Sequence, residues 1–167
     1  RFEYFRHAAD FYTAEGNYSR AYNIVRRWRK LARSVGDRKQ LHAAVNGLVQ
    51  LFWKQSRYNL CRPTLKYIGK EFANSDPALL AESLSLQGEL FRRTGKIREA
   101  QESCTKAVEL ANTAHDQQRQ AQALNNLGLA NWSGGNLDAA TESFEKCLNL
   151  HEARSARYMG ARIANNL

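Results

Sequence analysis

The feature that most constrains this chain is a turn signal that returns every 39 or 40 residues. Each occurrence places a turn-forming residue before a polar residue and then an apolar one. The signal stands at Gly16-Asn17-Tyr18, Ser56-Arg57-Tyr58, Gly95-Lys96-Ile97 and Gly135-Asn136-Leu137. Five residues after each turn start stand Ala21, Cys61, Ala100 and Ala140. Because small residues let two antiparallel helices approach closely, the pattern predicts a repeat of helix hairpins.

A second turn signal runs out of phase with the first, at Gly36-Asp37, Asp76-Pro77 and His115-Asp116. These pairs are expected to end one hairpin and begin the next. Asp76 suits a helix N-cap, and Pro77 suits the first helical position because no donor is needed there. The two signals predict one solenoid, with repeats at residues 1–36, 37–75, 76–115 and 116–153 and the start of a fifth at 154–167.

Composition and apolar spacing both favour helix between the turns. The chain has only two prolines and ten glycines and is rich in good helix formers. Apolar residues recur every three or four positions, as at Leu124, Leu127 and Trp132. We therefore expect an all-α fold without a sheet. No apolar run approaches the roughly 18 residues of a membrane span, so we expect no membrane partner.

The residue types that carry chemistry are scattered. Cys61, Cys104 and Cys147 form no CxxC pair and have no histidine at ligand spacing, so we expect neither a metal nor a disulfide framework. A reducing, cytoplasmic compartment fits them better. The chain has no phosphate-binding loop and no catalytic motif, and its four histidines lie far apart in sequence. We expect a protein that is not an enzyme and has no cofactor.

Positive charge is concentrated in the first half of the chain. Residues 1–75 carry 15 Lys and Arg against 5 Asp and Glu, or +10, whereas residues 76–167 carry 10 against 11, or −1. The densest basic cluster consists of Arg26, Arg27, Arg29, Lys30 and Arg33. This cluster is either a solvated helix face or a surface that docks an acidic protein or a nucleic acid.

The spacing of large and small residues around the turns is that of a known repeat. The fourth unit has Leu124, Leu127, Gly128, Ala140 and Phe144, and the third has Leu84, Gly88, Phe91 and Ala100. In these positions the chain resembles the tetratricopeptide repeat family. Its period is similar to the longer repeats of kinesin light chains, Leu-Gly-Asn-type adaptors and bacterial peptide-sensing and transcriptional regulators. Trp28 departs from the pattern, and Trp132 is expected to replace an aromatic residue missing at Asn131.

The resemblance implies a right-handed α-α superhelical solenoid of stacked antiparallel hairpins, with a concave groove lined by the first helix of each pair. The implied groove residues are Asn46, Gln50, Trp53, Lys54, Ser85, Glu89, Arg92, Arg93, Gln122, Asn125, Trp132, Arg162 and Asn165. The asparagines either hold a peptide backbone or, instead, bond to neighbouring helices or are simply solvated. The two tryptophans either anchor a ligand or pack between repeats.

This resemblance also implies a function. The expected role is a protein-interaction scaffold or adaptor that binds a peptide or partner segment in the groove, with Arg92 and Arg93 clamping an acidic group of the ligand. One alternative is a regulatory or sensor segment of a larger signalling or transcription-regulating protein. Another is binding of a nucleic acid or an acidic partner by the basic first half.

Overall fold

A computed structural model describes residues 2–72 and 76–164, with the side chains of all of these except 154 and 156–164. In this part of the chain every regular element is a helix, which confirms the all-α fold class. The helices are α1 (Phe2–Ala14), α2 (Tyr18–Ser34), α3 (Arg38–Lys54), α4 (Tyr58–Glu71), α5 (Pro77–Arg93), α6 (Ile97–Thr113), α7 (Gln117–Ser133) and α8 (Leu137–Ala164). None of them is both long and apolar enough to cross a membrane.

The turns between helices share one backbone design. In six of them a residue with φ between 52° and 80° follows the helix. The next residue donates its N–H to a carbonyl five positions earlier, as Asn17 does to Tyr12 and Lys96 to Phe91, both at 2.8 Å. This arrangement satisfies the last carbonyls of each helix. Four of the six residues are glycines, and Ser56 and His115 adopt the same conformation at a cost of about 1 kcal/mol or more.

Aspartates begin the helices that open the second, third and fourth repeats. Asp37, Asp76 and Asp116 each accept a hydrogen bond of 2.9–3.0 Å from a backbone N–H in the first turn. Such caps contribute about 1 kcal/mol each. The predicted roles of Asp76 as N-cap and Pro77 as the first helical residue are confirmed.

The described residues between 1 and 75 form one compact unit, unit 1. Helix α1 packs against α2 and α3, while α2 and α4 both pack against α3. A core cluster consists of Ala9, Val25 and Leu48, with Ile24 and Phe52 against it. Trp28 of α2 is 4% exposed, and its Nε1–H donates to Oε1 of Gln40 at 3.1 Å. The open side of Gly47 on α3 lies beside the Trp28 ring.

The described residues from 76 onward form the second compact unit, unit 2. Successive helices pack on one another from α5 to α8, and α5 also packs on α7. The two helices of each hairpin approach closely at a glycine, Gly88 in one and Gly128 in the other. A Cβ atom at Gly88 would overlap Sγ of Cys104, and one at Gly128 would lie 2.5 Å from the Phe144 ring. In both units the small residue five positions after the turn is buried, as predicted.

The end of the described chain differs from the prediction. Helix α8 continues to Ala164, so no turn separates a fourth from a fifth repeat at residue 154. The earlier boundaries each have an aspartate that caps the next helix, and two of them have a residue with positive φ just before it. The segment Ala153-Arg154-Ser155 has neither Asp nor Gly. Without those signals the helix has no local reason to end there.

Candidate functional site

Two side-chain contacts hold α5 and α7 side by side in unit 2. Arg119 of α7 donates to Oε2 of Glu82 of α5 at 3.0 Å, and Nδ2 of Asn126 donates to Oγ of Ser85 at 2.9 Å. The contacts lie about two helical turns apart on α7 and about one turn apart on α5, and each joins the first helices of consecutive repeats. They set the position of one helix against the other.

Each of the two helices presents a row of accessible side chains, and each row includes one residue of these contacts. The α5 row is Glu82, Leu86, Glu89 and Arg93, and the α7 row is Gln122, Asn126, Leu129 and Ser133. In both rows the spacing is four, three and four residues, which keeps all members on one helix face. Leu86 and Leu129 are half-buried among polar neighbours. We call the two rows together the α5–α7 face.

Glu89 of the α5–α7 face forms ion pairs with two arginines. Arg92 donates to both of its carboxylate oxygens at 2.7 Å, and Arg93 donates to Oε1 at 2.8 Å. Burial alone would raise the pKa of Glu89, but the hydrogen bonds and charges of the two arginines hold it below its ordinary value. The predicted arginine clamp for an acidic ligand is therefore already occupied by a carboxylate of the chain itself.

Opposing effects also act on the pKa of a carboxylate at the start of α7. Burial would raise the pKa of Asp116, yet hydrogen bonds from the backbone N–H and the guanidinium of Arg119 lower it. Because Arg119 also pairs with Glu82, it ties the first turn of α7 to α5. The Asp116 carboxylate thus supports the contact between the two helices through Arg119, whereas Glu89 pairs within α5.

We expect unit 2 to lose stability in acid through these two groups. A carboxylate whose pKa is lower in the folded state stabilises that state above its unfolded pKa, and this contribution vanishes as the pH falls through the folded pKa. Stability should therefore decline below the ordinary Glu89 value of 4.5. Urea unfolding monitored by amide exchange in α5 and α7 measures this decline. Glu89→Gln should flatten it, and an unchanged pH profile in that variant would contradict the assignment.

Comparison with known proteins agrees with this geometry. Residues 79–153 match the family model described as "Tetratricopeptide repeat". This segment is a tetratricopeptide repeat array. The structure titled "Crystal structure of BtubC (BKLC) from P. vanneervenii" is similar in fold, with a TM-score of 0.77 and 21% identity. The likeness covers 90% of this chain and 62% of that one, so this chain spans less than two thirds of its neighbour's length. A search of curated proteins finds no match.

The family assignment brings a general function with it. Tetratricopeptide repeats mediate contacts between proteins, through surfaces that stacked hairpins present. The matched segment contains nearly all of α5, together with α6, α7 and the first part of α8. The α5–α7 face is therefore part of a tetratricopeptide repeat.

The predicted row of groove asparagines is corrected by the structure. Asn46 is 2% exposed, with its Nδ2 lying 3.4 Å from Nδ1 of His42, and Ser85 at the same repeat position is 1% exposed. Ser85 is covered because Asn126 of the next first helix bonds to it. The prediction that these two residues line a groove is therefore wrong. Asn125, at the matching position of the tetratricopeptide repeat in α7, is exposed.

Two tryptophans were predicted to bind ligand or to pack between repeats. Trp53 is half-buried and makes an edge-on contact with Tyr58, with ring centroids 5.9 Å apart. Trp132 is 61% exposed and does not replace an aromatic residue at Asn131, which corrects that expectation. Instead Asn131 is buried and accepts a hydrogen bond of 2.9 Å from Gln101 of α6. A hydrogen bond between side chains is thus found at the position where the family pattern has an aromatic ring.

In unit 1 the predicted residues Gln50 and Lys54 lie together. They line a small cavity of about 240 Å³ between α1 and α3, opposite Asp10 and Thr13. Asp10 and Thr13 were not among the predicted groove residues. Thr13 lies three residues before its turn, as the predicted groove residue Trp53 does in the second repeat, so its repeat position could have identified it.

The remaining predictions are placed as follows. Gln122 and Arg93 are exposed members of the α5–α7 face, and Glu89 is its half-buried member. Leu86, Leu129 and Ser133 of this face were not predicted. Their helical spacing from Glu89 and Gln122 was the signal that could have indicated them. Arg162 has no described side chain, and Asn165 lies outside the described residues. That any of these residues binds a peptide stays a prediction.

All three cysteine thiols are free and buried. Burial raises the pKa of Cys104 to about 12, and the nearby Glu89 carboxylate adds to that shift. A thiol with so high a pKa stays protonated and unreactive at neutral pH. Among the described residues no group of three or more His, Cys, Asp or Glu side chains is arranged to hold a metal ion.

Proposed function

We propose that this chain is a protein-interaction scaffold that binds a segment of a partner protein on the α5–α7 face. The supporting observation is that α5 and α7 are locked together by the Arg119–Glu82 and Asn126–Ser85 contacts. A surface that is rigid before binding loses little conformational freedom when a ligand arrives. The accessible residues of the α5–α7 face can then contact a partner segment as one preorganised site.

The composition of the α5–α7 face also supports this proposal. Leu86 and Leu129 offer half-buried apolar contacts, while Gln122 offers an amide that donates to and accepts from a peptide backbone. Protein interfaces commonly combine an apolar centre with a polar rim. The cations of Arg92, Arg93 and Arg119 are balanced by Glu82, Glu89 and Asp116. We therefore expect the partner segment to be mixed in character rather than strongly acidic or basic.

We expect Leu129→Glu to weaken partner binding by about tenfold or more, since a central apolar contact is replaced by a charge. Affinity capture from the native lysate identifies the partner, and calorimetry with its purified binding segment measures the dissociation constant. Leu148→Glu in α8 is the matched control, because Leu148 is also accessible, at 57% exposure, but lies on a second helix. Equal losses in both variants, or a loss only in the control, would refute this site.

We also propose that the chain acts as an adaptor or as the regulatory part of a larger protein, without a catalytic step of its own. His42 is buried against Phe72, and His7, His115 and His151 are exposed on different elements. Buried, unpaired thiols fit a reducing compartment such as the cytoplasm. A chain that turned over a substrate alone would contradict this proposal.

A further inference from the structure

Helix α2 is strongly basic along its whole length. It contains six arginines and lysines and no acidic residue between Tyr18 and Ser34. Its buried stripe is Ala21, Val25, Trp28 and Ala32. Arg26, Lys30 and Arg33 lie on the opposite side, four and three residues apart, and all three are exposed. Helical geometry therefore places these cations in one row on the outer surface.

Helix α4 adds a second row in the same unit. Arg62, Lys66 and Lys70 follow one another at four-residue spacing, and all three are exposed. Tyr67 of α4 joins the two helices. The guanidinium of Arg29 lies 5.3 Å from its ring centroid, and Nη2 of Arg33 lies 3.3 Å from its hydroxyl oxygen. These contacts hold two α2 cations next to the α4 row.

In the described part of unit 2, several cations are instead paired with carboxylates. There, Arg92 and Arg93 share Glu89, and Arg98 pairs with Glu102 of the same helix. Helix α2 has no carboxylate with which its own cations could pair. Like charges at three- and four-residue spacing destabilise a helix by a few tenths of a kcal/mol each. The fold therefore carries an electrostatic cost that a polyanionic ligand would relieve.

The shape and lining of the surface indicate which polyanion fits. A shallow cavity of about 630 Å³ is lined by Asn23, Arg26, Arg27, Arg29, Lys30 and Arg33. No apolar side chain is among them. Protein interfaces are centred on aromatic and apolar residues, whereas nucleic-acid interfaces are polar and strongly positive. The Tyr67 ring is occupied by Arg29, so it does not offer a stacking platform for an unpaired base.

We propose that the basic surface of α2 and α4 binds the sugar-phosphate backbone of double-stranded nucleic acid, without reading its sequence. Guanidinium groups match phosphate oxygens in paired hydrogen bonds, and the lysines add point charges. This surface lies on unit 1 and is distinct from the α5–α7 face. The chain would thus contact a nucleic acid and a protein partner through separate surfaces.

Fluorescence anisotropy of the full 167-residue chain with labelled 20-base-pair DNA and RNA duplexes tests this proposal. Binding should be detectable at about 50 mM salt and should weaken on the order of a hundredfold by about 200 mM, as expected for roughly four phosphate contacts. Two unrelated sequences should bind equally. Absence of binding at the lower salt, or a clear preference for single strands, would overturn the proposal.

A charge-matched pair of variants distinguishes this surface from net charge alone. Arg26→Gln, Lys30→Gln and Arg33→Gln together should weaken duplex binding by about tenfold or more and reduce the salt slope by roughly three. The control combines Arg98→Gln, Lys106→Gln and Lys146→Gln, which removes the same charge from exposed positions of unit 2. Equal losses refute the assignment. Competition by polyglutamate as effective as that by duplex would indicate an acidic protein partner and refute it as well.

Discussion

Trp28→Ala should destabilise unit 1 by about 3–5 kcal/mol, the cost typical of removing a buried aromatic side chain. The Trp28 ring is 4% exposed, and it forms part of the wall beneath the small cavity between α1 and α3. Its loss would leave a void and would also leave the Gln40 amide without the indole N–H that it accepts. A loss of this size is a large fraction of the stability of a small unit.

Chemical denaturation together with amide exchange localised to α1–α4 measures this effect. Trp132→Ala is the matched control, because the same substitution at a side chain that is 61% exposed should change stability by less than about 1 kcal/mol. Trp28→Phe should fall between them, because it keeps most of the apolar contact and loses the bond to Gln40. If Trp28→Ala and Trp132→Ala unfolded at the same denaturant concentration, the packing described for unit 1 would be incorrect.

Gly88→Ala should destabilise unit 2 by about 1–3 kcal/mol, although alanine is the better helix former. The added methyl group would overlap Sγ of Cys104 and lie 3.2 Å from the backbone oxygen of Ala100. Cys104 and Ala100 are fully buried, so α6 has to move away from α5. Gly69→Ala is the control without a steric clash, because nothing lies within 4 Å of its new methyl group. That variant should gain up to about 1 kcal/mol from helix propensity.

A second substitution isolates the cause of the Gly88 effect. Cys104→Ala removes the sulfur that the new methyl group would meet, so it should recover part of the stability lost in Gly88→Ala. The recovery appears as a coupling free energy in a double-mutant cycle of urea unfolding measurements. Additive effects of the two substitutions would show that the helices do not meet at this point.

The repeat and its local chemistry could be predicted from sequence. Glycines and aspartates identified the turns and the N-caps, because left-handed backbone and capping depend on residues within one helical turn of each other. Where that local signal is missing, as at Ala153-Arg154-Ser155, the prediction of a turn differs from the structure. The small residues after each turn were predicted equally well, since they recur at a constant position of the repeat.

The residues of the α5–α7 face could be predicted only in part. Glu89, Arg93 and Gln122 are accessible on this face, but Asn46 and Ser85 are interior. A residue's position in the repeat indicates which side of its helix it occupies. It does not tell whether the next first helix covers that side, and Asn126 covers Ser85. Because this covering depends on the crossing of two helices far apart in sequence, residue spacing alone does not determine it.

By itself the sequence determined the all-α class, the hairpin period, the helix ends and the concentration of positive charge in the first half. Each of these follows from residues close together in the chain or from a simple count. The tertiary structure decided the rest: that Trp28 packs beside Gly47, that Asn126 covers Ser85, and that Tyr67 joins two basic rows. Those pairings arise only when separate parts of the chain come within a few ångströms of one another.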